Sequence, residues 1–264
     1  MGPSLYLDSI RRREDSKASG SFPWSIPSLR RLEELAFPTP VTFLVGDNGS
    51  GKSTLLEGLA CGMQAYAVGS VGAVVRDPLL QHAKIFAQAF YFARKRRAKI
   101  KMFLRAEDVY GHVKAELAEI EDLEAEAALA RASERPSRVT IGMLEGMARS
   151  IRESDPDGRS HGETFVKILG RRLHGGGLYF LDEPESPLSP ARQLALLGII
   201  RDSVAAGGQF IIATHSPLLL ALPGATIYHI GESDIAHVRY EDVPNVAFMK
   251  AFLANPARFI AEDE

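Results

Sequence analysis

One short segment, GDNGSGKST at residues 46–54, limits what this chain can fold into more than any other feature. It fits the pattern G-x-x-x-x-G-K-[ST], with one additional internal glycine. The run before it, VTFLV at 41–45, is continuously apolar and is typical of a buried parallel strand. The residues after it, LLEGLACGMQAY, have apolar side chains at helical spacing. The order strand, glycine-rich loop, helix predicts a phosphate-binding loop.

Each residue type in this loop has a chemical reason to be there. Glycines let successive backbone N–H groups curve around a phosphate chain, Lys52 reaches the β and γ oxygens, and the Ser53 hydroxyl is a ligand for Mg²⁺. The helix that begins near Lys52 adds its positive end. The alternative is a glycine-rich turn that binds nothing, which the flanking strand and helix disfavour. We therefore predict that the following residues bind phosphate: Asn48, Gly49, Ser50, Gly51, Lys52, Ser53 and Thr54.

Two further polar clusters follow buried strands. The segment LYFLDEPE at 178–185 is apolar until it reaches Asp182 and Glu183. An acid at such a strand end can hold the water shell of Mg²⁺, while the next residue, facing the other side of the strand, can polarise an attacking water. The segment QFIIATHSP at 209–217 places His215 at the end of another strand, where ligands collect in open α/β sheets. We predict that Asp182 joins Ser53 at the metal, and that Glu183, His215 and Lys52 are catalytic.

The alternation of strands and helices predicts an α/β fold with a mainly parallel central sheet. Residues 1–264 are expected to form a single domain, with a helical insertion at about 107–159. Strands are expected at 5–10, at 226–230 and near His237, and a final helix from about Val246. The apolar and basic residues of 85–104 predict two strands that flank a basic turn, although an alanine-rich apolar run also fits a helix.

Composition restricts the surroundings and partners of the chain. The formal net charge is −2, so no global field favours nucleic acid or a membrane surface, and any such partner needs a local patch. The single cysteine, Cys61, rules out an internal disulfide, and we expect it to be a small packed side chain. No secretory signal pattern and no run of about 18 apolar residues is present. We therefore expect a cytoplasmic chain without membrane insertion.

The ordered set GDNGSGKST, SHGE, YFLDEPE and ATHSP resembles the ATP-binding-cassette (ABC) type of P-loop ATPase. More narrowly, it is similar to the small stand-alone ATPases of the SMC-like and overcoming-lysogenization-defect-like branch. The resemblance spans about residues 5–255. It implies a P-loop NTPase fold with a small antiparallel sheet beside the central one. It also implies ATP and Mg²⁺ as ligands, and an ATP-dependent homodimer.

The resemblance also implies roles for individual residues. Residues 160–163 occupy the position of the family signature, so Ser160 and Gly162 would contact the γ-phosphate held by the opposite subunit. Ser160 with Glu163 is equally a helix capping box, and the two roles are compatible. Residues 185–189 match the loop that crosses the dimer interface, Glu183 the catalytic glutamate and His215 the switch histidine. Two departures point away from transport: the signature begins Ser-His-Gly, and Glu107 stands where transporter relatives have a Gln.

Two questions stay open at the level of sequence: the class of function, for which there are three hypotheses, and the residue that stacks on adenine. The leading hypothesis is an ATPase whose dimer closes on ATP and reopens after hydrolysis, coupled to an unknown partner. A regulatory ATP-binding module with incidental turnover is the alternative, which a slow basal rate stimulated by one partner protein would favour. A third is DNA contact through the basic run Arg94 to Lys101, against the commoner interpretation of a solvated turn. Adenine stacking by Phe22 or Trp24 is weighed against burial in the core.

Overall fold

A computed structural model describes residues 5–16, 20–67, 74, 80–106, 122–129, 131–132, 137–154, 161–173 and 175–260. Ten strands lie within these ranges: β1 Leu7–Arg12, β2 Glu34–Ala36, β3 Val41–Val45, β4 Tyr66–Ala67, β5 Phe90–Arg94, β6 Lys101–Arg105, β7 Leu178–Asp182, β8 Gln209–Ala213, β9 Thr226–Ile230 and β10 Ile235–Val238. The α-helices among the described residues include Pro27–Arg31, Lys52–Gly62, Gln81–Gln88, Arg138–Ser154, His161–Arg172, Pro190–Ala205, Pro217–Leu220, Pro244–Ala254 and Ala257–Ile260.

The large sheet confirms the predicted fold class. Its seven strands have the order β10-β9-β3-β8-β7-β6-β4, and every neighbouring pair is parallel except β9 with β10. Strands β3, β7 and β8 are buried along their whole length, which explains why their sequences are continuously apolar rather than alternating. The predicted strands at 41–45, 178–182, 209–213 and 226–230 are all present.

The smaller sheet is antiparallel, with the order β2-β1-β5. The predicted pair of strands around the basic turn is β5 and β6, but these two strands belong to different sheets. The start of the same apolar run is helical, since the helix Gln81–Gln88 precedes β5. The basic run is therefore a connection between two sheets and not the turn of a hairpin.

Several charges of this basic run are engaged within the chain. Arg94 donates to the carbonyl of Gly62 at 2.8 Å, and Arg96 donates to the carbonyl of Gly207 at 3.0 Å. The Arg96 guanidinium also lies over the Tyr6 ring, 4.0 Å from its centroid. Lys95 forms an ion pair with Asp8. These contacts hold the segment between β5 and β6 against the rest of the chain.

Two hydrophobic clusters cover the two faces of the large sheet. The first lies between the two sheets and surrounds the helix Lys52–Gly62, with Leu55, Leu56 and Leu59 fully buried. The second lies on the opposite face and includes Phe165 and Leu169 of the helix His161–Arg172. This arrangement places the helix that follows the glycine-rich loop in the middle of the domain, so its first turn is held rigidly.

One buried side chain bonds the small sheet to the large one. Gln209 is the first residue of β8, and its Oε1 accepts from the backbone N–H groups of Tyr6 and Leu7 at 2.8 and 2.9 Å. Its Nε2 donates to the carbonyl of Leu7 at 2.7 Å. The Gln209 amide thereby satisfies three backbone groups at the start of β1 that are buried and would otherwise lose their partners.

We predict that Gln209→Leu lowers the free energy of unfolding by about 3 kcal/mol, because buried donors and acceptors are left unpaired. Chemical denaturation of both proteins measures the difference. Gln88→Leu, at the exposed end of the helix Gln81–Gln88, is the matched control and should change stability by less than about 0.5 kcal/mol. Equal losses in the two variants would contradict the role of the Gln209 amide.

Candidate functional site

The loop between β3 and the helix Lys52–Gly62 requires glycine at two positions for different reasons. Gly51 precedes the helix with φ +104°, a left-handed conformation that disfavours side chains. At Gly46 an added Cβ would lie 2.4 Å from the carbonyl oxygen of Ile230, at the end of β9. The loop therefore folds tightly against the neighbouring strand end, as the sequence pattern predicts.

Lys52 lies beneath the loop and is 5% exposed. Its Nζ donates to the carbonyls of Gly46 and Asp47 at 3.0 and 2.9 Å. Burial lowers the pKa of the Lys52 ammonium, and the nearby carboxylates of Glu183 and Asp182 oppose that change. The ammonium is therefore held at the centre of the loop, facing the acids at the end of β7.

Ser53 and Asp182 form the central contact of the site. The Ser53 hydroxyl donates to Oδ1 of Asp182 at 3.1 Å, joining the first turn of the helix to the end of β7. Burial raises the pKa of Asp182 to about 6, and the bond from Ser53 opposes this rise. A hydroxyl and a carboxylate are hard oxygen donors of the kind that Mg²⁺ prefers beside phosphate oxygens and water. These two residues fit the predicted metal site.

A cavity of about 270 Å³ opens beside this pair. Its lining consists of Ser53, Glu57, Arg105, Ala106, Asp182, Glu183 and Ser186. The described residues contain no separate group of three or more His, Cys, Asp or Glu side chains that could hold a metal. A Mg²⁺ ion held by Ser53 and Asp182 would therefore need further oxygen ligands, from water or a bound molecule, to complete its coordination.

Glu183 and His215 face each other beside the same edge. The distance from His215 Nε2 to Oε1 of Glu183 is 3.7 Å, and Nε2 is buried without a hydrogen-bond partner among the described residues. Glu183 has φ +46°, an uncommon value for a residue with a side chain, and its N–H donates to the Ala213 carbonyl. The backbone therefore leaves the strand direction at Glu183, the residue that is predicted to act on the attacking water.

Glu185 and Asn245 bind the backbone of His215, a role that the sequence analysis did not predict for them. The carboxylate of Glu185 accepts from the His215 backbone N–H at 2.7 Å, and Asn245 donates to the His215 carbonyl at 2.6 Å. Burial raises the pKa of Glu185. Backbone groups on both sides of His215 are therefore fixed by distant segments, the loop after β7 and the helix Pro244–Ala254.

A cluster of polar side chains around the buried Glu57, beside the cavity, was also missed. Glu57 is 5% exposed, and its two carboxylate oxygens bind His82 and Arg105. The available signal was an acidic residue among the apolar residues that follow the first turn of the helix, four positions after Ser53. Identifying its partners requires the tertiary structure, because His82 and Arg105 come from other elements.

The structure describes some, but not all, of the remaining predicted residues. Ser160, Glu107 and the parts of the predicted insertion at 107–121, 130, 133–136 and 155–159 lie outside the described residues. Gly162 lies in the first turn of the helix His161–Arg172. Trp24 is 3% exposed and stacks on Phe86, so it belongs to the core. Phe22 is half exposed and packs against His82. Cys61 is buried, as predicted.

The chain is similar to several known proteins. Residues 20–108 match the family described as "AAA domain", and residues 165–221 match "AAA domain, putative AbiEii toxin, Type IV TA system". The macrolide export ATP-binding/permease protein MacB of Marinobacter nauticus is 26% identical over 79% of this chain. This chain covers 31% of the length of that relative. The cytochrome c biogenesis ATP-binding export protein CcmA of Nitrosomonas europaea is 26% identical over 76% of this chain and 88% of its own length.

A solved structure of a nucleotide-free ATP-binding cassette from an ABC transporter aligns with 99% of this chain and 100% of its own, at 15% identity and a TM-score of 0.42. Within the described residues, no helix is both long and apolar enough to cross a membrane.

The loop, the lysine below it and the acid at the end of β7 define a P-loop nucleotide-binding fold. The sequence matches agree with this fold, since two AAA-domain models fit separate parts of the chain and the relatives named above are described as ATP-binding proteins.

The raised pKa of Asp182 gives a prediction for the chain without nucleotide or metal. Between about pH 4 and pH 6 the native carboxyl keeps its proton while the unfolded one loses it, so this group makes stability fall as pH rises. We expect a loss of about 3 kcal/mol across that window, by linkage. Urea unfolding in EDTA at several pH values measures it. Asp182→Asn should lack this component, and identical pH profiles of the two proteins would contradict the assignment.

Proposed function

We propose that this chain is a Mg²⁺-dependent ATPase in which two copies close head to tail on two ATP molecules and reopen after hydrolysis. The observation that carries the proposal is the hydrogen bond between Ser53 and Asp182, directly beside the buried ammonium of Lys52. A phosphate-binding cation and two hard oxygen donors at one sheet edge suit a triphosphate with its metal. The relatives named above are described as ATP-binding proteins, which supports ATP as the nucleotide.

In this proposal the glycine-rich loop binds the phosphates, and the residues at the strand ends contribute to hydrolysis. The backbone N–H groups of residues 48–54 and Lys52 bind the phosphates, and Ser53 with Asp182 holds Mg²⁺. Mg²⁺, when bound, neutralises charge that develops on the phosphate oxygens. Glu183 orients the attacking water. His215 contacts the γ-phosphate through Nε2, the buried atom that lacks a partner among the described residues.

The second subunit completes the site in this proposal. Ser160 and Gly162 of one copy contact the γ-phosphate held by the other, and the loop 185–189 crosses the interface. Glu185 accepts from the backbone of His215, so the crossing loop and the residue that contacts the γ-phosphate are physically joined. Loss of the γ-phosphate would therefore change the contact between His215 and Glu185, and Glu185 belongs to the loop that crosses the interface. In this proposal that change separates the two copies.

We propose that the opening and closing act on a protein partner. The MacB and CcmA relatives are described as export proteins. The signature residues 160–163 depart from the transporter pattern, and this favours a partner other than a transport channel. Direct DNA contact has less support, because Arg94, Lys95 and Arg96 already have partners within the chain.

Nucleotide binding can be tested through Lys52. At an ATP concentration of about 100 Kd, binding should stabilise the wild-type chain by about 2.7 kcal/mol, a rise in Tm of about 5–10 °C. Lys52→Ala should reduce that rise to less than about 1 °C, because the phosphates lose their buried cation. Differential scanning fluorimetry with MgATP measures both. Lys250→Ala removes a cation near the Tyr240 ring and should respond to ATP like the wild type.

Dimer closure can be tested through Glu183. Glu183→Gln should keep ATP binding but slow hydrolysis at least about 100-fold, so an ATP-bound dimer accumulates on a sizing column. Glu241→Gln, an exposed carboxylate in the 3₁₀ helix Tyr240–Asp242, should elute like the wild type. A Glu183→Gln protein that stays monomeric with ATP and turns over at the wild-type rate would contradict the mechanism.

A further inference from the structure

A cluster of three side chains, of which Glu57 is buried and the other two are partly buried, joins three elements next to the proposed metal ligands. Glu57 lies on the helix Lys52–Gly62, His82 on the helix Gln81–Gln88, and Arg105 at the end of β6. One carboxylate oxygen of Glu57 binds the guanidinium of Arg105, and the other binds Nε2 of His82. We call these three residues the carboxylate clamp.

Two residues of the clamp are direct neighbours of the two proposed metal ligands. Glu57 follows Ser53 by four residues on the same helix, so the two side chains are neighbours on one helix face. Arg105 is the direct register partner of Asp182 in the parallel pair of β6 and β7. Ser53, Glu57, Arg105 and Asp182 line the same cavity. The bond from Glu57 to Arg105 thus runs beside the bond from Ser53 to Asp182 and connects the same helix to the neighbouring strand.

A purely structural ion pair is the competing explanation. Burying charges costs free energy that their attraction often fails to recover, and apolar side chains of similar size can replace such pairs without loss of stability. Stability alone therefore does not account for charges at this position. Their location beside the cavity, with Arg105 as the one cation among its described lining residues, indicates a function at the site.

We propose that the carboxylate clamp is a positioning device, in which Glu57 and Arg105 fix the distance between the helix and the sheet so that Ser53 and Asp182 meet at one Mg²⁺. The proposal rests on the nucleotide site proposed above. It assigns no contact with the phosphates to the clamp. Residues that orient metal ligands in this way change metal affinity by about 10- to 100-fold when they are removed.

The test uses calorimetry to measure the affinity of the chain for AMP-PNP, a non-hydrolysable ATP analogue. The affinity is measured at increasing MgCl₂ concentrations, to show how Mg²⁺ tightens binding, and separately in EDTA. Arg105→Met should raise the Mg²⁺ concentration for half-maximal tightening at least about tenfold. Its affinity for AMP-PNP in EDTA should stay within about twofold of the wild type, because Lys52 and the loop are unchanged. Arg105→Lys should recover part of the loss.

Two further variants keep the test decisive. If Arg105→Met fails to fold because Glu57 is left buried and unpaired, the double variant Glu57→Leu with Arg105→Met removes both charges and should show the same weakened response to Mg²⁺. Arg96→Met removes another intramolecular guanidinium contact, to the carbonyl of Gly207 before β8, and should respond like the wild type.

The outcomes separate the two proposals. A wild-type chain that binds no AMP-PNP, or binds it with no dependence on Mg²⁺, overturns the proposed function and the clamp with it. A wild-type chain that responds to Mg²⁺, with clamp variants that respond equally well, overturns the clamp alone. The clamp proposal is also overturned if the clamp variants lose as much affinity for AMP-PNP in EDTA as they lose in the response to Mg²⁺. The clamp would then support the loop and not the metal ligands.

Discussion

The parallel register of three strands determines where the chemistry of this protein can lie. Leu44 of β3 and Asp182 of β7 are both paired with Ala213 of β8, so the three strands end at the same level. The glycine-rich loop, the pair of acids and His215 leave the sheet from these adjacent ends. A shift of one strand by two residues would move its polar end by about 6–7 Å and separate groups that must share one ligand.

The sequence was sufficient to predict the parts of this arrangement that are local. A continuous apolar strand followed by polar residues predicts a site at the strand end, and β3, β7 and β8 all follow that rule. The pattern failed where an outcome depends on contacts between distant segments. Nothing local to residues 85–104 reveals that β5 and β6 join different sheets. Likewise, Glu57 meets Arg105 only because the helix and β6 pack together.

Trp24 shows the limit for aromatic residues. A flanking proline and a position upstream of the glycine-rich loop are compatible with stacking on a ligand or with burial, because both use the same apolar ring. The structure resolves the alternatives for Trp24, which packs on Phe86 beneath the guanidinium of Arg12. Phe22 keeps an exposed face, two residues earlier. The difference arises from the path of the backbone, which residue types alone do not determine.

The amide of Gln209 has an evolutionary consequence. Tyr6 and Leu7 contribute only main-chain atoms to its three bonds, and every residue type except proline carries the same donor and acceptor. These bonds therefore place no demand on the side chains of Tyr6 and Leu7, which are restricted instead by their burial in the core, whereas position 209 needs the amide itself. The attachment of the small sheet should therefore depend on the one amide at position 209, while positions 6 and 7 should vary only among side chains that suit the core.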